Sequence, residues 1–200
     1  MIKIGVCGSS GSGKGHICKQ ISAHGYKWID TDRVYRDLAT PKSQCVKELK
    51  EYFGDSILNE DGSLNRKELS KSVFEGENSK ERLNMLNKIT HFHIQRETER
   101  IILESEKNGY KGVLIDAPVL FESGFDAFCD VTLCITAPTQ LKIDRIMKRD
   151  GITYEKAISR INNQLSDDEL RKKCDYEIDN SENAQVEEQI NELLSKLKNY

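Results

Sequence analysis

The stretch Gly5-Val6-Cys7-Gly8-Ser9-Ser10-Gly11-Ser12-Gly13-Lys14 constrains this chain more than any other. An apolar run from Ile2 to Cys7 is long enough for one buried strand, and helix-like sequence resumes from Lys14 to Ala23. Between them lies a loop of three glycines and three serines. Strand, glycine-rich loop and helix is the setting in which G-x-x-x-x-G-K reads as a phosphate cradle. Glycine lets the backbone turn its N–H groups inward, into a nest for anionic oxygens. The following helix adds the positive end of its dipole, and Lys14 adds a full charge. A flexible Gly/Ser turn would need none of the offsets that Gly8, Gly13 and Lys14 keep. In this motif a Ser or Thr commonly follows the lysine and places its hydroxyl on Mg2+. Here Gly15 and then His16 stand at those positions. Mg2+ keeps several waters and borrows substrate phosphate oxygens, so the cradle remains compatible with the ion. Gly8, Gly11, Ser12, Gly13, Lys14, Gly15 and His16 are the candidate nucleotide-binding residues of this segment.

Any phosphate recognition has to be local, because the chain as a whole is not basic. Its 200 residues carry a formal net charge of −3, which argues against a general nucleic-acid binder. That length suits one domain with a helical insertion. No apolar stretch approaches a membrane span and no signal peptide is recognisable, so no membrane association is expected. The six cysteines include no C-x-x-C pair, and Cys7 and Cys134 fall inside strand-like runs. A reduced, cytoplasmic protein without a metal cluster is the expectation.

Along the chain, Tyr26 to Asp30 is a short apolar segment ending in Asp30-Thr31-Asp32. Ligands of open parallel sheets collect at the carboxyl ends of strands, so these carboxylates suit a ligand on the loop. Helix capping by Asp30 or Thr31 is equally compatible with the pattern. Helical patterns follow from Lys42 to Phe53 and from Asn65 to Phe74, with turns at Asn59 to Ser63 and Glu75 to Asn78. A long helix is predicted from Ser79 to about Lys107, its period interrupted at Thr90-His91-Phe92-His93. Two imidazoles two residues apart on a helix do not face each other, so ordinary packing is the simpler reading of both.

Gly112 to Ile115 predicts the next strand, closed by Asp116-Ala117-Pro118. An acidic residue there suits the second carboxylate of a phosphate-loop enzyme, linked to Mg2+, or a helix cap. Val119 to Gly124 reads either as a ligand-covering flap or as core packing. Val131 to Ile135 is another buried strand, and Pro138 opens a helix reaching Arg149 that carries Lys142, Arg145, Lys148 and Arg149. Such a basic helix is a solvated face or a lid that delivers arginines to a triphosphate. Two short helices follow, Tyr154 to Leu165 and Asp167 to Lys173, with Ser166 and Glu169 as a capping box. Tyr176 to Asp179 makes a last strand, and a closing helix repeats Val186, Ile190, Leu193 or Leu194, and Leu197. Five strands alternating with helices imply an α/β fold whose parallel sheet is covered on both faces.

With these residues in view, the chain resembles the dephospho-coenzyme A kinase family over nearly its whole length. The resemblance rests on Gly8 to Lys14; Ile29-Asp30-Thr31-Asp32; Asp61 to Arg66; Val113 to Asp126; Arg145 to Gly151; and Ile178-Asp179-Asn180-Ser181. Asp-x-Asp after strand two, Pro-x-Leu-Phe-Glu-Ser-Gly after strand three and Ile-Asp-Asn near the end are distinctive together. The resemblance implies a P-loop, nucleoside-kinase-like three-layer fold with a five-stranded parallel sheet, a helical substrate-binding region and a lid. Within one domain, residues 1–200, it implies the acceptor-binding insertion at about 42–107 and the lid at about 138–173. The implied reaction is ATP-dependent phosphorylation of the ribose 3′-hydroxyl of dephospho-CoA, the last step of coenzyme A synthesis, with Mg2+.

By position, Asp32 matches the family's catalytic carboxylate, Lys14 the lysine on the β/γ-phosphates, and Arg145 and Arg149 the lid arginines. Asn180 falls where the family contacts adenine. His91 matches a histidine facing the acceptor, and Pro118, Leu120, Phe121 and Glu122 match the acceptor wall. The chain departs from the family pattern at Gly15-His16, at His91-Phe92 where His-Pro is usual, and at Gly8-Ser9-Ser10 where Gly-Gly-Ile is usual. A kinase acting on another nucleoside or nucleotide, and a nucleotide-binding regulatory protein, stay open as alternatives. The absence of an Asn-Lys-x-Asp motif disfavours a GTPase.

Overall fold

The computed structural model describes residues 1–75 and 78–199. Its strands are β1 (Ile2–Cys7), β2 (Tyr26–Asp30), β3 (Gly112–Asp116), β4 (Val131–Thr136) and β5 (Tyr176–Asp179). They form one sheet in the order β2-β3-β1-β4-β5, with β1 parallel to β3 and β4, and β4 parallel to β5. β1 is central, which is why it reads as an almost unbroken apolar run: both of its faces are covered. Val6 is in register with Asp116 and Leu133, so β1 and β3 end within one residue of each other beneath the glycine-rich loop, while β4 runs two residues beyond the partner of Cys7.

The chain divides into two compact units, one of residues 1–29 and 104–200, the other of residues 30–103. In the first, helix α1 (Lys14–Ser22) lays Ile17, Cys18 and Ile21 on the sheet, and Val186, Ile190, Leu193 and Leu197 anchor the closing helix. Burying each such aliphatic side chain contributes about 1.5–3 kcal/mol. A satellite cluster of Ile143, Ile146 and Ala157 joins α6 (Thr139–Asp150) to α7 (Tyr154–Asn162). Helix α8 (Asp167–Lys173) starts with the expected capping box between Ser166 and Glu169.

In the second unit, α2 (Thr31–Leu38) is capped by Asp30, α3 (Gln44–Phe53) by Ser43 and α4 (Arg66–Phe74) by Asn65, each accepting a main-chain N–H. Leu49, Ile57, Leu69 and Val73 lie in a core of their own. Residues 59–63 form the tight turn expected, closed by Gly62 N–H to Asn59 O at 2.9 Å. The turn at Glu75 to Asn78 includes positions 76 and 77, which lie outside the described residues. Helix α5 (Ser79–Lys107) runs without a break through Thr90 to His93, although the apolar period lapses there. There an imidazole takes the buried position in place of an apolar side chain: His93 is 7% exposed while Phe92 is 50% exposed.

All six cysteines are free thiols. Burial pushes Cys45 up to about 11. Burial, with Asp126 and Asp130 nearby, pushes Cys129 up to about 12. Neither forms appreciable thiolate near neutrality, and thiolate is the reactive species. Iodoacetamide at about pH 8 should therefore label both slowly in the native protein and readily after unfolding, as mass spectrometry would show.

Candidate active site

The loop between β1 and α1 is shaped by glycines that no other residue could replace. At Gly13, φ is +92°, and a Cβ there would stand 2.1 Å from Asn180 Nδ2. Gly11 combines φ of +81° with an approach that would leave its Cβ 2.5 Å from Lys142 O. Ser12 N–H closes the turn on Ser9 O at 3.1 Å. The N–H groups of Gly11, Gly13, Lys14 and Gly15 carry no hydrogen bond among the described residues. They form the open donor set that the motif predicts, at the positive end of α1.

The loop's carbonyls are held from outside. Arg145, on α6, donates from Nη1 to Gly11 O (3.2 Å) and Ser12 O (3.3 Å), and from Nη2 to Asn180 O (3.0 Å). Asn180 Nδ2 donates to Ser12 O at 2.7 Å. Two side chains far apart in sequence thus tie up carbonyls that would otherwise oppose an anion. Lys14 Nζ donates to Gly8 O at 3.1 Å, across the loop's mouth. Gly13→Ala should lower affinity for ATP or ADP by at least about tenfold, through left-handed backbone strain and displacement of Asn180. Calorimetry with circular dichroism as a folding control would measure it.

Residues outside the motif complete the cradle. Lys142, 3% exposed, donates from Nζ to Ser9 Oγ (3.0 Å) and pairs with Asp167 Oδ1 (2.9 Å). Ser9 Oγ in turn donates to Asp167 Oδ1 at 3.2 Å, and Asp167 Oδ2 accepts Ala137 N–H at 3.3 Å. Next to it, Ser10 N–H donates to Gln164 Oε1 at 2.8 Å. A groove of about 710 Å3 lies on this side, lined by Pro138, Lys142, Asp167 and Arg171 among others. Arg149 makes no bond to the loop; it pairs with Asp150, which also receives Arg160. These charges hold the Asp150 carboxyl down, at about 2, with Arg149 the larger cause. His16 is exposed on α1, its Nε2 2.7 Å from Gln20 Nε2.

At the end of β3, Asp116 is buried and accepts Trp28 Nε1–H at 3.3 Å. The same indole lies beneath the residue after Lys14: a Cβ on Gly15 would stand 3.5 Å from Trp28 Cη2. The aromatic ring thus occupies space beside the position where a hydroxyl-bearing side chain commonly follows the lysine. The turn after Asp116 divides its labour. Leu120 is fully buried and packs over Gly5, whereas Pro118, Phe121 and Glu122 border a cavity of about 60 Å3 that Leu120 also lines. Gly8, Ser9 and Gln164 close its other sides, and Lys173 Nζ lies 5.0 Å from the Phe121 ring centroid.

In the unit of residues 30–103, the two aspartates separate. Asp30 accepts Arg33 N–H at 3.1 Å and faces Arg36 at 3.6 Å, so it is the capping residue. Asp32 is exposed in the first turn of α2, and its carboxylate has no hydrogen bond or ion pair among the described residues. Burial lowers the pKa of the half-buried His91. His93 Nε2 lies 3.0 Å from Glu48 Oε2 on α3, and that pairing holds Glu48 below the usual carboxylate range.

Sequence reasoning placed Lys142 only on a basic face and did not single out Gln164, Asp167 or Trp28. For Lys142 a signal existed: an amphipathic reading of α6 puts it with Ile143 and Ile146 on the buried side. For the other three, contact is made across more than 80 residues of chain, and no local pattern carries it.

The dephospho-CoA kinase family model matches residues 2–186. Dephospho-CoA kinase from Corynebacterium efficiens is 36% identical over 99% of this chain and 100% of its own length. Among solved structures, TT1252 from Thermus thermophilus superposes with a TM-score of 0.77 at 26% identity, over 98% of this chain and 95% of its own. Dephospho-CoA kinase from Campylobacter jejuni shares the fold, with a TM-score of 0.67 at 23% identity over 98% and 97% of the two chains.

Proposed function

The chain belongs to the dephospho-CoA kinase family, and from that premise we propose how it transfers the γ-phosphoryl group of ATP to the ribose 3′-hydroxyl of dephospho-CoA, giving CoA and ADP. The observation that carries the reading is the donor set of Gly11, Gly13, Lys14 and Gly15, left open while Arg145 and Asn180 secure the loop's carbonyls. Phosphoryl transfer asks a protein mainly for positioning and for charge stabilisation, and such a nest supplies both.

In this reading Gly8, Gly11, Ser12, Gly13 and Gly15 shape the cradle, with His16 beside it, and Lys14 exchanges Gly8 O for the β- and γ-phosphate oxygens. Asp32 accepts the proton of the sugar hydroxyl and aims its oxygen in line with phosphorus; its unpaired carboxylate suits that task. Arg145 keeps positive charge against the phosphates through the loop, and Arg149 joins by exchanging Asp150 for phosphate oxygens. Asn180 borders the adenine, while His91, Pro118, Leu120, Phe121 and Glu122 meet the acceptor. The insertion at about 42–107 and the lid at about 138–173 close over the substrates and exclude water.

Mg2+ fits what the chain offers. No group of three or more His, Cys, Asp or Glu among the described residues could hold a metal, but Mg2+ needs only one or two carboxylates besides phosphates and waters. Asp116 would hold it through water. When bound, the ion neutralises charge developing on the β- and γ-oxygens. No helix among the described residues is long and apolar enough to cross a membrane, and six free thiols suit a reducing compartment, so a cytoplasmic location belongs to the same reading.

The test is ADP release by purified protein with Mg2+-ATP, with and without dephospho-CoA, and mass analysis of the product. Acceptor-dependent release with formation of CoA is expected. Faster turnover on another nucleoside or nucleotide would reassign the acceptor, and ATP binding without any turnover would leave a regulatory protein.

A further inference from the structure

The phosphate loop is not left entirely open to solvent by the rest of its own unit. Gln164, in the connection between α7 and α8, and Asp167, the first residue of α8, hold two adjacent loop residues. The Asp167 contact is to the hydroxyl of Ser9, with Lys142 beneath it, and leaves the loop's main-chain donors untouched. The Gln164 contact is different in kind. Its side-chain carbonyl takes a main-chain N–H, that of Ser10, the residue next to the open donor at Gly11. A phosphate oxygen approaching that amide and the carbonyl of Gln164 want the same proton. The side chain has somewhere to go, because Gln164 itself lines the cavity of about 60 Å3 shared with Gly8, Ser9 and Glu122.

We infer that Gln164 is a positioning residue of the nucleotide site, whose carbonyl holds the Ser10 N–H and yields it to a phosphate oxygen as nucleotide binds. This rests on the reading of the loop as the ATP site. Lys142 and Asp167 keep the turn attached throughout, since their bonds to Ser9 need not break. Nucleotide binding thereby frees the amide side chain of the α7–α8 turn, and the returning carbonyl competes with the phosphates of the product for the same donor. Gln164 affects affinity without being required for the loop's shape, which Arg145, Asn180 and Lys142 maintain.

The inference is tested by titrating ADP into the full-length protein and measuring ADP release by stopped flow. Gln164→Ala removes the competitor, so Kd for ADP should fall about threefold to tenfold, the worth of one hydrogen bond, with slower release. Gln164→Asn, one methylene too short to reach, should behave like the alanine variant. Gln164→Glu sets a carboxylate against the phosphates and should raise Kd by about tenfold or more at low salt. A side chain that merely braces the loop would weaken binding when removed, and would not tighten it. Unchanged or weaker ADP binding by both Gln164→Ala and Gln164→Asn, with melting temperatures like the parent, overturns the inference while leaving the kinase reading intact. Failure of the unsubstituted protein to bind ADP overturns both. Should Gln164→Ala melt early, the comparison of Gln164→Asn with Gln164→Glu decides, and equal affinities for those two count against it.

Discussion

Asp32→Asn is expected to lower kcat by about 10²–10⁴-fold, the usual worth of a positioned general base, while leaving ATP affinity nearly unchanged. The asparagine keeps the size and shape of the aspartate but cannot accept the sugar hydroxyl's proton. Asp32 has no hydrogen bond or ion pair to lose among the described residues, being exposed in the first turn of α2, where its charge has only a small favourable effect at the helix's positive end. Asp30→Asn serves as the internal comparison. It keeps an oxygen for the Arg33 N–H and so retains the cap, and its effect on kcat should be small. Lys14→Ala should differ from Asp32→Asn by weakening ATP binding and catalysis together, because the ammonium serves the nucleotide in ground and transition states alike. Steady-state kinetics combined with ATP titration separates the three. Equal loss of ATP binding in the Asp32 and Lys14 variants would contradict these roles.

Lys142→Met is expected to cost about 3–5 kcal/mol of folding stability, the toll of breaking a buried ion pair from one side. At about 2–4 °C per kcal/mol for a chain of this size, the melting temperature should fall by about 6–20 °C. The charge is not exposed enough for water to replace the partner: the side chains of Lys142 and Asp167 are 4% and 16% accessible. Loss of the ammonium leaves Asp167, among the described residues, with the Ser9 hydroxyl and the Ala137 N–H as its hydrogen-bond donors. Adding Asp167→Asn to Lys142→Met should recover part of the loss, since the amide is cheaper to leave buried than a carboxylate. If thermal melts show the single variant within about 2 °C of the parent, the pair is not the anchor its geometry implies.

Much of the first unit was legible in advance because its information is local. A short apolar run rich in β-branched residues, such as Val131 to Ile135, reads as a buried strand from its length and composition, and Ser166 with Glu169 three residues on can be recognised as a capping box without knowing anything further away. Element ends were less legible. The helix expected to reach Leu165 stops at Asn162, because Asn163 and Gln164 leave the helix to meet the cavity and the loop. At Asp30-Thr31-Asp32 the sequence offered Asp30 or Thr31 as the cap, and the structure gives the cap to Asp30, whose carboxylate turns back on the Arg33 N–H.

Taken alone, the order of residues determined that a strand, a glycine-bearing loop and a helix begin this protein, and that the loop is built for anionic oxygens. Backbone conformation at Gly11 and Gly13 and the charge of Lys14 are properties of a few consecutive residues, and consecutive residues are what a sequence records. Only the tertiary structure decided that Arg145 and Asn180 hold the loop's carbonyls, that Lys142 is an interior cation and that Gln164 occupies a loop amide. Those contacts join segments more than 130 residues apart. A hydrogen bond works over about 3 Å, so its existence depends on where the sheet order brings the chain back, which no local periodicity encodes.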